Sequence, residues 1–348
     1  MSQAETKPRN PREAHSTATA ACPADGGPIG VLLLNLGSPD EPEPPALKRY
    51  LRQFLGDPRV LEINPIVRWL LLNLIILPRR SKTSAELYRS IWSKNGSPLI
   101  AISERQAKLL GRSLGPDYKV SLVMRYGNPS IEAGVNELTE AGCRSIVLLT
   151  AFPQYSNTSL GTAYAEVFRV ISERRDMPAL QIVPPYYDAP EYLDAVADSI
   201  RRKLERFPAD HLVLSYHGIP ERYKRNGDPY SDHCEATTRG IMERLKLDPS
   251  RWTMTYQSRF GKEPWLQPYT DKTLEQLAKT TETVLVACPG FTADCLETIE
   301  EIAGENHEVY VEAGGKDLRL CPCLNSSSAW IEGMASLIRK TAPRSTAS

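Results

Sequence analysis

GVLLLNLG, residues 30–37, is a short and nearly unbroken apolar run, closed by Gly37, Ser38 and Pro39. A strand with one face in water alternates apolar and polar residues. A strand covered on both faces has no need to, and reads as this one does. Downstream the order apolar run, loop, amphipathic segment repeats. Strands are predicted at 30–35, 119–125, 145–151, 180–184, 211–216, 252–257, 283–287 and 308–312. Helices are predicted at 44–55, 84–92, 100–114, 130–141, 162–174, 190–206, 233–246, 270–279, 293–304 and 325–340. Strands alternating with helices of this length make βαβ units and parallel sheets, so the fold class is α/β. Eight strands over 348 residues suit two sheets better than one. The break is placed where MPALQIVPPYYDAP clusters prolines, giving halves of 29–176 and 177–324. A tail over 1–28 is expected to be disordered, and 325–348 to be a helix folding back on the first half, with a frayed end.

Composition removes several function classes. Lys plus Arg and Asp plus Glu balance at 42 each, whereas a nucleic-acid binder shows a basic excess. Seven scattered cysteines make no disulfide framework and read as the reduced thiols of a cytosolic protein. The N-terminal stretch has no apolar core of a secretory signal. The most apolar window, WLLLNLIIL at 69–77, is too short to span a bilayer and contains Asn73. Flanked by Arg68, Arg79 and Arg80, it suits core packing, the lip of a cleft or a membrane interface. No GxGxxG follows the first strand and no GxxxxGKS or GxxxxGKT occurs, so an ATP-driven mechanism has no support.

Chemistry concentrates in two stretches. Of the five histidines, His217 alone ends a predicted strand, in LSYHGIP. Loops at the carboxyl ends of parallel strands form the ligand crevice, and an imidazole there can take up a proton near neutral pH. It could equally cap a loop. His15 falls in the tail, and His211, His233 and His307 at element edges read as surface residues. The second stretch is FTADCLETIEEI, 291–302, again just past an apolar run. Asp294, Glu297 and Glu301 would share one helix face, where like charges repel unless a cation or proton relieves them. Asp294 and Glu297 are also spaced as a capping box. Trp265, Tyr256 and Phe260 in YQSRFGKEPWLQP could wall a flat apolar ligand or simply pack. Cys321 and Cys323 lack the partners a metal site needs and read as plain thiols.

Taken together, the motifs resemble the ferrochelatases from about residue 29 to 340. The segments that carry the resemblance are LLLNLGSPD, LYRSIW with GSPL, VMRYGNPS, FPQYSNTSLGT, SYHGIP with the later GDPY, YQSRFGKEPWL and PGFTADCLETIEE, in the family's order. The resemblance implies two similar Rossmann-like, chelatase-type halves with the active cleft between them. It implies a lyase that inserts Fe2+ into a free-base porphyrin without ATP, protoporphyrin IX before coproporphyrin III. It assigns His217 and Glu297 as the catalytic and metal-contacting pair, and Asp294 and Glu301 as a proton or metal relay on a helix with a π-type turn. Asn35, Leu36, Arg125, Tyr126, Ser258, Trp265 and Phe291 match pocket positions, and Arg79 and Arg80 an arginine pair near the porphyrin propionates.

Asn157 stands where the animal type has a cluster cysteine, and the C-terminal cysteine set is reduced to Cys321 and Cys323, so no [2Fe–2S] cluster is expected. Cys295 stands where some relatives have histidine. Segment 66–77 looks like the version that works at the inner surface of the cytoplasmic membrane, in a cytoplasmic enzyme that is a monomer or weak dimer. A cobalt or nickel chelatase would use more histidines at the metal. A haem carrier would have no use for the aligned acids.

Overall fold

The computed structural model describes residues 27–343. Residues 1–26 of the expected tail, with His15 and Cys22, and the last five residues lie outside the described residues.

Two four-stranded sheets form the frame. The first holds β1 (Ile29–Asn35), β2 (Tyr118–Met124), β3 (Ser145–Thr150) and β4 (Ala179–Ile182). The second holds β5 (His211–His217), β6 (Trp252–Gln257), β7 (Thr283–Ala287) and β8 (Asp317–Cys321). Their orders, β2-β1-β3-β4 and β6-β5-β7-β8, are the same order used twice, and every pairing is parallel. The two Rossmann-like halves are thus present. β4 pairs with β3, so the first sheet runs to residue 182, past the break placed at 176. Of the boundary segment's prolines, Pro178 precedes β4, and Pro184, Pro185 and Pro190 follow it.

The opening apolar run is explained by its two covered faces. Val31 and Leu33 point into a core shared with Leu212, Leu214 and Leu285 of the second sheet, while Leu32 and Leu34 pack on the other side with Val123, Val135 and Val167. The shared core is closed by the helices Pro190–Arg206 and Ser328–Thr341, which carry Tyr192 and Trp330. The last helix lies against Pro98–Leu114 of the first half and against Pro190–Arg206. Gly37, just past β1, has φ +109°, and a Cβ there would collide with the Tyr126 carbonyl. Only glycine allows that approach of the two strand ends.

HEVYVE, predicted as a strand at 308–312, is helical over His307–Glu312, and the last strand is DLRLC. Its β-branched residues favour a strand. Continuation of the preceding helix and burial of Tyr310 overrule that preference.

Residues Pro65–Leu70, Leu71–Ile76 and Leu77–Ile91 form one continuous helix with a π-type middle. Asn64 starts it by accepting hydrogen bonds from the Ile66 and Val67 amides, ahead of Pro65. Leu72 and Leu77 are buried, but Ile66, Val67, Trp69, Leu70, Leu74 and Ile75 are exposed. Core packing therefore accounts for a minority of this segment. No helix among the described residues is long and apolar enough to cross a membrane.

Candidate active site

β5 ends on His217, and β7 leads into Phe291 and then the π-helix Glu297–Asn306. β5 and β7 are neighbours at the point where the second sheet's order reverses, which is where open α/β sheets bind ligands. The two stretches singled out by their chemistry therefore meet at one crevice.

His217 is half-buried, and its Nδ1 lies 2.7 Å from the Gly218 carbonyl oxygen. That oxygen can only accept, so Nδ1 carries a proton, and in the neutral ring Nε2 is the nitrogen with the lone pair. Next to His217 in the sheet register stands Gln257, on β6. Ser258 follows with φ +65°, a left-handed conformation uncommon outside glycine. The bend lets Ser258 hold one carboxylate twice: its N–H donates to Glu301 Oε1 at 2.6 Å and its hydroxyl to Oε2 at 2.5 Å. Gln257 Nε2 adds a bond to Oε2 at 3.2 Å. Burial nevertheless raises the pKa of Glu301, while the Ser258 bond and nearby His217 work to lower it.

Glu297 faces the first half. Burial pushes the hydroxyls of Tyr50 and Tyr88 well above the ordinary tyrosine range, and the charge of Glu297 adds to it. Leu296 packs against Leu47 and Tyr88, which seats the start of the π-helix on the first half. Glu300, one residue before Glu301, is pushed up to about 7 by burial and by Glu305, Glu301 and Glu308.

Asp294 does not share that helix face. It precedes the helix, so the capping-box spacing forms no capping box. Asn325 Nδ2 donates to Asp294 Oδ2 at 2.6 Å, and the Asp294 N–H donates to Asn325 Oδ1 at 2.9 Å. The Cys323 N–H also donates to Asp294 Oδ1, at 3.1 Å. Asn325 is in turn fixed to the first half, because its carbonyl accepts from Gln106 Nε2 at 2.8 Å. Asp294 is a clamp between loops rather than a free carboxylate beside Glu297.

Trp265 packs over Gly218, beside His217, and its ring lies 5.0 Å from that of Phe260. The Arg80 guanidinium sits 5.3 Å from the Phe260 ring, so an arginine of the long helix reaches across to the second half. Arg79 is exposed on the same helix. Phe291 is half-buried near Leu99, Met124 and Cys295, between the halves. Asn35 is buried, donating to Ser103, with the Leu36 N–H on its own side-chain oxygen.

Arg125 and Tyr126 are turned to Asp57. Arg125 Nη2 lies 2.6 Å and the Tyr126 hydroxyl 3.0 Å from Asp57 Oδ2, which also accepts from Thr162. Burial works against the Asp57 carboxylate, but Thr162, the Arg59 N–H, Tyr126 and Arg125 outweigh it and hold its pKa low.

Gln257 and Asp57 are the two residues that sequence reasoning passes over. A glutamine at a strand end beside His217 could have been noticed from register. Asp57, in FLGDP, carries no pattern. His211, expected at the surface, is buried and bonded to Thr253, and His233 stacks on Tyr187. A cavity of about 470 Å³ on the outer side of Pro190–Arg206, lined by Glu191, Asp194, Arg201 and Arg244, has no imidazole or aromatic wall.

A family profile described as ferrochelatase matches residues 28–342. The ferrochelatase of Thioalkalivibrio sulfidiphilus (strain HL-EbGR7) is 48% identical over 317 residues, covering 89% of this chain and 86% of the relative. That of Klebsiella pneumoniae (strain 342) is 47% identical, covering 90% and 98%. Among solved structures, SirB from Bacillus subtilis with Fe3+ superposes with a TM-score of 0.52 at 13% identity, covering 90% of this chain and 96% of that one, a likeness of fold. With the crevice, its histidine and its half-buried acids in place, the chain belongs to the ferrochelatase family, the metal-inserting chelatases of haem synthesis.

Proposed function

We propose that the protein inserts Fe2+ into protoporphyrin IX at the crevice between His217 and Glu297, without ATP. The observation that carries this reading is the pairing of an imidazole whose Nδ1–H is tied to a carbonyl with a half-buried carboxylate pair, Glu297 and Glu301, on the neighbouring strand's helix.

Insertion exchanges two pyrrole N–H protons for one divalent ion. A base must take those protons, and the ion must be released from water beside the ring. His217 Nε2 supplies the base. Glu297, which has Glu301 behind it, supplies an oxygen ligand and a path for charge. A macrocycle bent on binding exposes its nitrogens, and part of the binding energy goes into that distortion. Trp265, Phe260 and Phe291 give the crevice aromatic walls. Arg79 and Arg80 lie where propionates would leave it. Asn35 and Leu36, at the end of β1, and Arg125 and Tyr126, held by Asp57, set the floor of the first half.

The exposed apolar side chains of 66–75 support the less charged porphyrin and contact with the cytoplasmic face of a membrane. Asn157, whose amide is built between Glu62 and Arg59, supports a chain that works without a [2Fe–2S] cluster.

The test is Glu297→Gln. Metal insertion should fall to background while porphyrin binding, read by quenching of protein fluorescence, stays within about twofold. Surviving insertion would sink the assignment. Running the wild type on protoporphyrin IX and coproporphyrin III side by side decides the substrate.

A further inference from the structure

The π-helix Glu297–Asn306 opens with the backbone carbonyl of Glu297 turned toward β6. Gln257 Nε2 donates to that carbonyl at 2.9 Å, and the same nitrogen donates to Glu301 Oε2 at 3.2 Å. One –NH2 group thus ties the turn that carries Glu297 to the side chain of Glu301.

The amide has one workable orientation. Both of its nitrogen's partners are acceptors only, so a flipped amide would set oxygen against oxygen twice. On its other side Oε1 accepts from the Ser215 hydroxyl at 2.7 Å, with the Cys288 thiol at 3.7 Å. Because Ser215 donates its proton to Gln257, it must accept from Thr270 at 2.9 Å, and Thr270 in turn from Thr255 at 2.9 Å. The result is a directed chain, Thr255 to Thr270 to Ser215 to Gln257, ending on the Glu297 carbonyl and Glu301. All four members are buried, with at most 3% of their surface exposed. Water cannot replace a lost link. Buried chains of this kind polarise one another, so the last bond gains from those behind it.

Gln257 also shares a register position with His217 on the adjacent strand. It therefore stands on the face from which His217 projects. We infer that Gln257 is a positioning residue for metal insertion: it fixes Glu301 and the first π turn against the His217 strand. The inference rests on the proposed role of the Glu297 and Glu301 carboxylates.

The test is a double-mutant cycle on the full chain, with metal and porphyrin varied separately. Gln257→Met keeps the volume and removes the donors. It should lower kcat/KM for Fe2+ by about tenfold, the loss of one hydrogen bond to a charged group. Porphyrin KM should move less than about twofold. In a Glu301→Gln background the same change should cost no more than about threefold, since the charged one of its two acceptors is gone. Full multiplicative loss in that background overturns the inference. So does Gln257→Met with wild-type metal kinetics.

Glu301→Gln alone tells the two readings apart. If it inserts metal like the wild type, the relay reading falls and Gln257 with it. If it is impaired while Gln257→Met is not, only the positioning role falls. Should Gln257→Met fail to fold, Thr270→Val cuts the chain two links back. It should give a loss of a few fold in the same direction, again suppressed by Glu301→Gln. An unsuppressed loss there also overturns the inference.

Discussion

Replacing Ile66, Trp69 and Leu74 together by serine should release the protein from membranes while leaving its fold intact. The three side chains are 71%, 60% and 65% exposed, so the core gains little from them. Full burial of an aliphatic side chain of this size is worth about 2 kcal/mol. With roughly two-thirds of each already in water, moving all three into lipid would recover about 4–5 kcal/mol. An interfacial helix sinks only part of its apolar face. About half of the gain is therefore realised, or about 2–2.5 kcal/mol, a partition change of roughly 30- to 70-fold.

The assay is sedimentation with vesicles, half of whose lipids are anionic, at two salt concentrations. Arg68, Arg79 and Arg80 flank the apolar face and add an electrostatic part that salt weakens. The serine variant should lose the salt-independent part and keep the salt-sensitive one. Its melting temperature should stay within a few degrees of wild type, since surface changes of this kind are nearly neutral. Equal partitioning of variant and wild type would refute the reasoning and leave these side chains as a wall for the porphyrin. A porphyrin KM raised at unchanged vesicle binding would show that outcome.

Other expectations follow from the buried polar groups. Asp57→Asn should cost roughly 3 kcal/mol at pH 7, because it leaves Arg125 without its buried partner. Asp57 has a depressed pKa, so its contribution is present above about pH 4 and lost as pH falls through the folded value. Denaturant melts of the two proteins should therefore converge in acid. Glu300 is the opposite case, a carboxyl pushed up to about 7. The folded state then holds its proton more tightly, and stability falls as pH rises from the unfolded value toward 7. Glu300→Gln should raise the melting temperature at pH 8 and leave it unchanged at pH 4. Asn325→Ala removes two side-chain bonds to Asp294 and places alanine at φ +46°, so thermal unfolding should show a loss of about 2–3 kcal/mol.

Why some of this was legible in the sequence and some was not is a matter of which interactions are local. A strand buried on both faces writes its own signature, which is why Val31–Leu34 announced a parallel sheet. His217 and Phe291–Glu297 were legible because each directly follows such a strand. The five residues of 308–312 were misread because β-branched spacing is a weak preference that packing of Tyr310 overrides. Asp294 shows the limit more sharply. From spacing it joins Glu297 and Glu301 on a helix. Its position is instead decided by Asn325, 31 residues away, and through Asn325 by Gln106 in the other half.

The same non-local logic separates the three acids by function. A carboxylate with two clamps and no freedom, Asp294, fixes where the helix begins. A carboxylate with three donors, Glu301, is held while burial still opposes its charge. Glu297 lies between them with its carbonyl, rather than its carboxylate, tied to Gln257. Its side chain is thus the one acid of the three left free to turn toward a metal ion. In the proposed reaction, stiffness on both sides of an untied carboxylate would suit metal transfer. The ion must be held firmly enough to shed water, and released when the ring nitrogens are ready. A variant that loosens either flank should therefore slow transfer even with Glu297 intact.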